Sequence, residues 1–261
     1  MAEGQFRFDD GAAYERHMGV WSRLAGNVFL DWLAPEPGLR WIDIGCGNGA
    51  FSELIVERCQ PAEVQGIDPA EGQLAFARTR PAARLAKFQQ GDAMALPFPE
   101  SSFDVAVMAL VIFFVPEPAK ALSEMARVVR PGGTIAAYAW DLFGGGFPLE
   151  PIGAELRAMN IAPFLPPSPD ASRTENLHAL WTRAGATDID MRVIEVRRTF
   201  ASFDEFWSIA MTSNMRMVID KMSATDAENL KSRVRERLPP DSAGRIAFGA
   251  HANAIKGRVT K

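Results

Sequence analysis

Short apolar runs alternate along the first half of the chain with stretches of helical periodicity. The runs occupy residues 39–44, 63–68, 86–90 and 102–112, and helical patterns follow the first, the second and the fourth. This alternation predicts βαβ units, in which parallel strands are buried beneath helices on both faces of a sheet. The pattern therefore predicts an α/β fold with a doubly wound, mostly parallel sheet.

The second half of the chain follows a different pattern. Residues 189–196 alternate between apolar and polar side chains, which indicates an antiparallel strand, and residues 244–258 are predicted to form the last strand. Residues 202–237, between these two strands, are amphipathic and predicted to be helical. A further helix is predicted over residues 12–34, where apolar side chains recur at three- and four-residue steps.

A glycine-rich loop after the first predicted strand is the strongest candidate for a ligand site. The segment Asp43–Gly49 reads Asp-Ile-Gly-Cys-Gly-Asn-Gly and leads into a helical pattern that begins at Phe51. In open α/β sheets, ligands bind at the carboxyl ends of the strands, and glycine lets the backbone approach a ligand closely. Gly45, Gly47 and Ala50 also satisfy the relaxed dinucleotide-binding pattern.

The carboxylate of Asp43 distinguishes between two kinds of ligand. It lies at the strand tip, two residues before Gly45, where it would repel the pyrophosphate of a dinucleotide. The position favours a ligand with positive charge near the loop. S-adenosylmethionine carries such charges, an α-ammonium and a sulfonium.

Acidic residues also follow the second and third predicted strands. Asp68 lies where a carboxylate can accept hydrogen bonds from both hydroxyls of a ribose, and a helix N-cap before Pro69 is a second role that can hold simultaneously. Gln73 lies about one turn into the next predicted helix. Asp92 stands in a Gly-Asp-Ala segment, for which a surface turn is the alternative interpretation.

Together these motifs resemble the class I methyltransferases that depend on S-adenosylmethionine, in the branch similar to ubiquinone- and menaquinone-biosynthesis enzymes. The resemblance covers residues 38–141 and includes Arg130–Thr134 (Arg-Pro-Gly-Gly-Thr), the turn that leads into the fifth strand of that family. It implies a Rossmann-like sheet of seven strands with an antiparallel last strand. It also implies S-adenosyl-L-methionine as cofactor, S-adenosyl-L-homocysteine as product, and methyl transfer to O, N or C of a small acceptor.

The resemblance also implies which residues bind the cofactor. In the family, the acid matching Asp92 accepts from the adenine amine, the N–H of the residue matching Ala93 faces the ring, and the end of the fourth strand faces the donor sulfur. The complete predicted set is Tyr14, Asp43, Gly45, Cys46, Gly47, Asp68, Pro69, Gln73, Asp92, Ala93, Met94, Ala109 and Leu110.

The predicted domain organisation follows from these elements. Residues 1–37 are expected to form an N-terminal helical cover, residues 38–201 the cofactor-binding core, residues 202–243 a helical lid inserted over the cleft, and residues 244–261 the last strand of the core.

Apolar and aromatic side chains near the predicted site favour a hydrophobic or aromatic acceptor, and core packing explains each of them equally well. The predicted acceptor-contacting residues are Met18, Trp21, Phe114, Trp140 and Trp207. No catalytic residue is assigned, because the candidate bases form no recognisable dyad; they are Tyr14, His17, Tyr138, Asp141, His178 and His251.

Composition indicates which partners, compartment and metal sites are expected. A net charge of −4 disfavours nucleic acid as a partner, and no apolar run approaches the roughly 20 residues of a membrane span. Two cysteines, Cys46 and Cys59, and an N-terminus without the apolar core of a signal peptide favour the cytoplasm. Three histidines without clustered ligands predict no metal site.

Two alternative functions stay open. A non-catalytic protein that binds S-adenosylmethionine is compatible with the sequence, because no general base is visible. An NAD-dependent oxidoreductase is less favoured, because both Asp43 and the Gly-Asp-Ala segment argue against it.

Overall fold

The computed structural model describes residues 18–162, 165–212 and 215–260. Within these ranges seven strands form one sheet in the order β3-β2-β1-β4-β5-β7-β6. The strands are β1 Arg40–Ile44, β2 Glu63–Asp68, β3 Ala86–Gln90, β4 Phe103–Ala109, β5 Val129–Trp140, β6 Ala186–Phe200 and β7 Ile246–Val259.

The pairing confirms the predicted Rossmann-like sheet with an antiparallel last strand. Strands β1 to β5 are parallel to their neighbours, whereas β7 runs antiparallel to both β5 and β6. The chain starts in the middle of the sheet, moves outward to β3 and returns to β4 beside β1. The strand order therefore reverses between β1 and β4, and a crevice for a ligand is expected outside the carboxyl ends of these strands.

Nine α-helices occur in the described residues, and helices are predicted from the sequence in the regions 12–34 and 202–237. The α-helices of the described residues are α1 Val20–Leu33, α2 Ala50–Cys59, α3 Glu71–Ala77, α4 Pro118–Val128, α5 Glu150–Ala158, α6 Thr174–Arg183, α7 Phe203–Ala210, α8 Met215–Ile219 and α9 Ala224–Arg237. Helix α1 packs on β6, β7 and α2, whereas α4 packs on β4, β5 and α6. Helices therefore cover the sheet in two groups.

Two predicted boundaries differ from the structure, and a third falls outside the described residues. The predicted helix over residues 12–34 includes α1, which Met18 and Gly19 precede in helical conformation, and residues 12–17 lie outside the described part. The region 202–237 is divided into three separate helices. Strand β6 is longer at both ends than the predicted residues 189–196.

The central strands are buried on both faces, as continuous apolar runs require. Trp41, Ile42 and Ile44 of β1 are fully buried, and so are Val107 and Met108 of β4. Burial of each such side chain stabilises the fold by about 1.5–3 kcal/mol, so these two strands form a rigid support for the loops at their carboxyl ends.

The Arg-Pro-Gly-Gly segment was predicted as a turn before the fifth strand, but it lies within β5. Phe103 pairs with Val129 and Val105 pairs with Thr134, so the intervening residues form a bulge. A Cβ atom on Gly133 would lie 2.4 Å from Val129 and 2.7 Å from the carbonyl oxygen of Asp104. The bulge therefore needs glycine because its backbone packs directly against β4.

Helices α7 to α9 lie between β6 and β7 in the chain, and α9 packs against α5. A buried carboxylate makes this contact specific. Glu155 of α5 accepts hydrogen bonds from Arg233 Nε at 2.7 Å and from Arg237 Nε at 2.8 Å. The two guanidinium groups lower the pKa of Glu155, with the Arg233 hydrogen bond as the first cause.

We expect Glu155→Gln to destabilise the protein by about 1–3 kcal/mol, because it removes the charge that pairs with two arginines at a mostly buried position. Urea unfolding measures the change. Glu228→Gln on the exposed surface of α9 is the matched control and should change the free energy of unfolding by less than about 0.5 kcal/mol. Equal effects of the two substitutions would contradict the proposed role of this contact.

Candidate active site

A cavity of about 910 Å³ opens at the carboxyl ends of the parallel strands. It contains most of the residues predicted from the sequence to bind the cofactor. Those that line it are Asp43, Gly45, Cys46, Gly47, Asp68, Pro69, Gln73, Asp92, Ala93, Ala109 and Leu110. Met94 is not among the lining residues, and Tyr14 lies outside the described residues.

The glycine loop between β1 and α2 depends on residues without a Cβ atom. Gly45 has φ +75°, and a Cβ atom there would lie 2.4 Å from the side chain of Val111. The N–H groups of Gly45 and Cys46 both donate to the carbonyl oxygen of Ile67 at the end of β2. The loop is therefore held against the adjacent strand and forms one wall of the cavity.

The carboxylate of Asp43 lies at the base of this loop and is fully buried. Its Oδ2 atom accepts a hydrogen bond from Ser52 Oγ at 2.7 Å, whereas its Oδ1 atom has no hydrogen-bond partner among the described residues. Burial, together with the negative charge of Asp68, raises the pKa of Asp43 to about 7. A buried carboxylate oxygen without a partner is unfavourable, and a cationic ligand would relieve this cost.

Asp68 is fixed by the backbone on two sides. Its Oδ2 accepts from the N–H of Gly47 at 2.9 Å, and its Oδ1 accepts from the N–H of Ala70 at 2.8 Å. Burial raises the pKa of Asp68, and these two hydrogen bonds act in the opposite direction. Because a carboxylate offers about four acceptor positions, Asp68 can still accept from a ligand's hydroxyl groups.

Asp92 lies in a tight turn after β3. Its Oδ1 accepts from the N–H of Met94 at 2.8 Å, and its carbonyl oxygen accepts from the N–H of Ala95. Met94 therefore contributes its backbone to the orientation of Asp92, and its side chain is not part of the cavity wall.

The end of β4 has a strained backbone. Leu110 has φ +63°, a conformation that costs a non-glycine residue of order 1–3 kcal/mol. The N–H of Leu110 donates to the carbonyl oxygen of Tyr138 at 2.8 Å, which holds this conformation. The left-handed conformation of Leu110 turns the chain so that the side chain of Val111 lies directly against Gly45. This contact connects the end of β4 to the glycine loop, the two walls of the cavity.

The remaining part of the cavity is apolar. It is lined by Phe114, Val115, Pro116, Leu165 and Pro167. The segment 165–169 is held beside this wall because Ser168 N donates to the carbonyl oxygen of Phe113 and Ser168 Oγ donates to that of Val115. The charged side chains among the described lining residues are the three aspartates, and none is basic.

Of the five residues predicted to contact the acceptor, Phe114 lines the cavity and the other four do not. Trp21 is buried between Phe200 and Phe248, and Trp140 is only 1% exposed in the core. Met18 is also buried, and Trp207 stacks on Phe203. Met18, Trp21 and Trp140 are core residues, whereas Trp207 is partly buried, and contact of the five residues with an acceptor stays a prediction.

The candidate bases are dispersed. Tyr138 lines the cavity, whereas His178 is exposed on α6. Asp141 Oδ2 lies 3.4 Å from His251 Nε2, a pairing that was not visible in the sequence, but neither residue lines the cavity. Tyr14 and His17 lie outside the described residues.

Several lining residues were not predicted from the sequence, including Ser22, Asn48, Phe51 and Val111. Ser22 had a usable signal, because it lies on the same helical face as the buried Ala25 and Phe29. A polar residue on the buried face of an amphipathic helix requires an explanation. For Leu165 and Pro167, no local pattern indicated proximity to the site.

Comparisons with known proteins show which proteins this chain resembles. The family model described as a methyltransferase domain matches residues 42–137. A ubiquinone/menaquinone biosynthesis C-methyltransferase of Cereibacter sphaeroides is 38% identical over 43% of this chain and 47% of its own length. A malonyl-[acyl-carrier protein] O-methyltransferase of Methylococcus capsulatus is 39% identical over 49% of this chain and 46% of its own length.

A solved structure extends the similarity of the fold. Phosphoethanolamine N-methyltransferase 2 of Haemonchus contortus, with phosphomonomethylethanolamine and S-adenosylhomocysteine, superimposes with a TM-score of 0.59 at 18% identity. The superposition covers 95% of this chain and 56% of that chain. The curated relatives are matched over about half their length. Residues 42–137 thus match the methyltransferase-domain family model, and the fold is similar to that of a solved methyltransferase.

Two features are absent from the described residues. Neither a helix long and apolar enough to cross a membrane nor a group of three or more side chains suited to hold a metal ion occurs in that part of the chain.

We expect Asp43→Asn to stabilise the ligand-free protein at pH 8. With a folded-state pKa of about 7 against an ordinary value of 3.8, Asp43 retains a proton on folding between these pH values, so its contribution to stability falls as pH rises through this range. Removal of the buried charge should add about 1–3 kcal/mol to the free energy of unfolding at pH 8 and less at pH 4.

Urea unfolding at the two pH values tests this expectation. Asp68→Asn is the matched control and should destabilise the protein. Asparagine has one acceptor oxygen, so the N–H of either Gly47 or Ala70 loses its hydrogen-bond acceptor. A variant of Asp43 that is destabilised equally at both pH values would show that its charge is not the source of the cost.

Proposed function

We propose that this chain is a methyltransferase that transfers a methyl group from S-adenosyl-L-methionine to a small, uncharged, hydrophobic or aromatic acceptor at an O, N or C atom. The observation that carries this proposal is the buried carboxylate of Asp43, a lining residue beside the glycine loop whose Oδ1 atom has no hydrogen-bond partner among the described residues. Its environment favours a cation and disfavours a pyrophosphate.

The three aspartates offer complementary interactions for the proposed cofactor. Asp68, held by Gly47 and Ala70, is suited to accept from ribose hydroxyls. Asp92 and the N–H of Ala93 are suited to the adenine ring, and Asp43 to the positively charged end. When bound, the cofactor supplies a methyl group already activated by the sulfonium, so the protein needs chiefly to align the acceptor and exclude water.

The residues of this chain support those two tasks. The ends of β1 and β4 form one rigid wall of the cavity. The apolar side chains of Phe114, Val115 and Leu165 line the adjacent space and offer no hydrogen bonds to water. No catalytic base is assigned. Tyr138 is the one phenol among the described lining residues, and its ring is packed against Phe29 at 4.7 Å between centroids.

The acceptor class follows from the charge of the lining residues. A malonyl group carries a carboxylate, which would need a basic partner, and the described wall supplies three carboxylates and no basic side chain. An uncharged ring or chain fits the apolar part better. Of the two curated relatives, the one named for C-methylation in ubiquinone and menaquinone biosynthesis is therefore the nearer guide to the acceptor.

Calorimetric titration tests the cofactor. S-adenosylhomocysteine should bind with micromolar affinity, Asp68→Ala should weaken it at least tenfold through loss of a bidentate acceptor, and NADH should give no signal. Absence of S-adenosylhomocysteine binding to the wild-type protein would overturn the proposed function. Binding without turnover of any acceptor would favour a non-catalytic binding protein instead.

The affinity for S-adenosylmethionine should fall roughly five- to tenfold between pH 7.5 and pH 6. Asp43 takes up a proton over this interval because its pKa is about 7, and a cationic ligand binds better to the ionised form. 5′-Methylthioadenosine, which keeps the nucleoside and lacks both charges, is the control and should bind equally at the two pH values. A pH effect of the same size for both ligands would exclude Asp43 as its origin.

Methyl transfer to a panel of acceptors tests the acceptor class. Radiolabelled methyl groups should be transferred to uncharged phenols, quinols or aromatic amines in preference to carboxylates. Phe114→Ala should raise KM for a transferred acceptor several-fold and leave the affinity for S-adenosylhomocysteine unchanged. Preferential methylation of carboxylates would show that the charge of the wall does not select the acceptor.

A further inference from the structure

The outer side of the glycine loop is bonded to an arginine that is not part of the cavity wall. Arg80 follows α3, and its Nε atom donates to the carbonyl oxygen of Asn48 at 2.6 Å. Asn48 lines the cavity, whereas Arg80 is not among the lining residues. The bond therefore connects the far side of the loop to the segment that follows α3.

The second half of the loop needs such a contact more than the first half does. The first half is bonded to β2, because the N–H groups of Gly45 and Cys46 donate to the carbonyl oxygen of Ile67. Asn48 is followed by Gly49 at φ +79°, and glycine allows the peptide group between them several orientations. Asn48 is only 2% exposed, so its carbonyl oxygen needs a donor within the protein. A donor fixed outside the loop selects one orientation of this peptide group.

Arg80 is itself held in place by its neighbours. Its Nη1 atom donates to Glu53 Oε2 of α2 at 2.8 Å, and its guanidinium lies 5.4 Å from the centroid of the Phe76 ring. The side chains of Arg80 and Glu53 are only 10% and 12% exposed. Because the guanidinium is a planar fork, it can bond the loop carbonyl and the carboxylate at the same time in one geometry.

The C-terminal end of α3 also lies directly against the loop. A Cβ atom on Gly49 would lie 3.0 Å from the Cβ atom of Ala77 and 3.2 Å from the ring of Phe88. An earlier turn of the same helix carries Gln73, which lines the cavity. Helix α3 and Arg80 therefore support the loop from outside, whereas the cavity lies on its inner side.

We propose that Arg80 is a positioning residue for the cofactor, which holds the carbonyl group of Asn48 so that the inner face of the glycine loop keeps the shape that receives S-adenosylmethionine. This inference rests on the proposed function. Arg80 acts through the backbone of the loop, because it lies outside the cavity wall. The contact with Glu53 orients the guanidinium, and the bond to Asn48 fixes the loop.

Arg80→Lys separates the charge of the side chain from its geometry. Lysine keeps a positive charge beside Glu53, but its ammonium has no fork that bonds the carboxylate and the loop carbonyl in the same geometry. Calorimetry should show that S-adenosylhomocysteine binds about tenfold more weakly to this variant than to the wild-type protein, as expected for loss of one hydrogen bond from a charged donor. Circular dichroism at the temperature of the titration checks that the variant is folded.

Arg78→Lys is the matched control. Arg78 also bonds a carboxylate and a carbonyl oxygen, those of Glu71 and Phe88, and none of these three residues lines the cavity. The affinity for S-adenosylhomocysteine should therefore stay within about twofold of the wild-type value.

Glu53→Gln distinguishes a positioning role from a purely structural one. The substitution removes the charge of the buried ion pair but keeps an acceptor for Arg80 Nη1, and the bond from Nε to the loop remains. The midpoint of urea unfolding should fall, while the affinity for S-adenosylhomocysteine changes by less than about threefold. If Arg80 had only a structural role, affinity would follow stability in every variant.

Nuclear magnetic resonance reports the bond to the loop directly. An HNCO spectrum links the amide of Gly49 to the carbonyl carbon of Asn48, and loss of the hydrogen bond in Arg80→Lys should move this carbonyl resonance upfield. Arg78→Lys should instead move the carbonyl resonance of Phe88 and leave that of Asn48 in place.

The outcomes separate this inference from the cofactor assignment. Wild-type affinity in a folded Arg80→Lys variant, an Asn48 resonance that does not move, or equal losses of affinity in Arg80→Lys and Arg78→Lys would overturn the positioning role and leave the cofactor assignment standing. If Arg80→Lys does not fold, the double variant Arg80→Gln with Glu53→Gln, which leaves neither charge of the pair, serves the same comparison. If the wild-type protein binds no S-adenosylhomocysteine, the proposed function and this inference both fall.

Discussion

The buried carboxylate of Asp43 constrains the rest of the site. Its full burial at the end of β1 raises the pKa to about 7, although the hydrogen bond from Ser52 acts in the opposite direction. The other carboxylate oxygen has no hydrogen-bond partner among the described residues. Such a group is costly unless a positive charge approaches it. The surrounding loop lets a ligand come close to Asp43, because Gly45 and Gly47 adopt positive φ and have no side chains that would block the way.

Rigid packing makes this electrostatic arrangement possible. The central strands β1 and β4 are buried on both faces, so the loops that leave them cannot shift to solvate Asp43. The left-handed conformation of Leu110 and the close approach of Val111 to Gly45 fasten the two loops to each other. The strain at Leu110 is thus balanced by packing at the position where strand order reverses, which is where ligands bind in open α/β sheets.

Local patterns in the sequence were sufficient for the parts of the protein that depend on local structure. The order of elements, the glycine loop and the strand-end acids Asp43 and Asp68 follow from periodicity and spacing, whereas Asp92 was assigned through the resemblance to the family. The apolar wall formed by Leu165 and Pro167 does not, because these residues reach the cavity only through the hydrogen bonds of Ser168 to the segment 113–115. Aromatic stripes likewise do not reveal whether Trp21 faces the core or the cavity.

The two ends of the cavity differ in charge and are suited to different ligands. Three carboxylates on the ends of β1, β2 and β3 are suited to the hydroxyl, amine and cationic groups of a nucleoside ligand. The described wall of Phe114, Val115, Pro116, Leu165 and Pro167 carries no charged side chain. A charged acceptor would lose its hydration at that wall and would find no opposite charge there to replace it. An uncharged acceptor loses little on entry and gains contact area, so exclusion of water and selection of the acceptor arise from the same apolar surface.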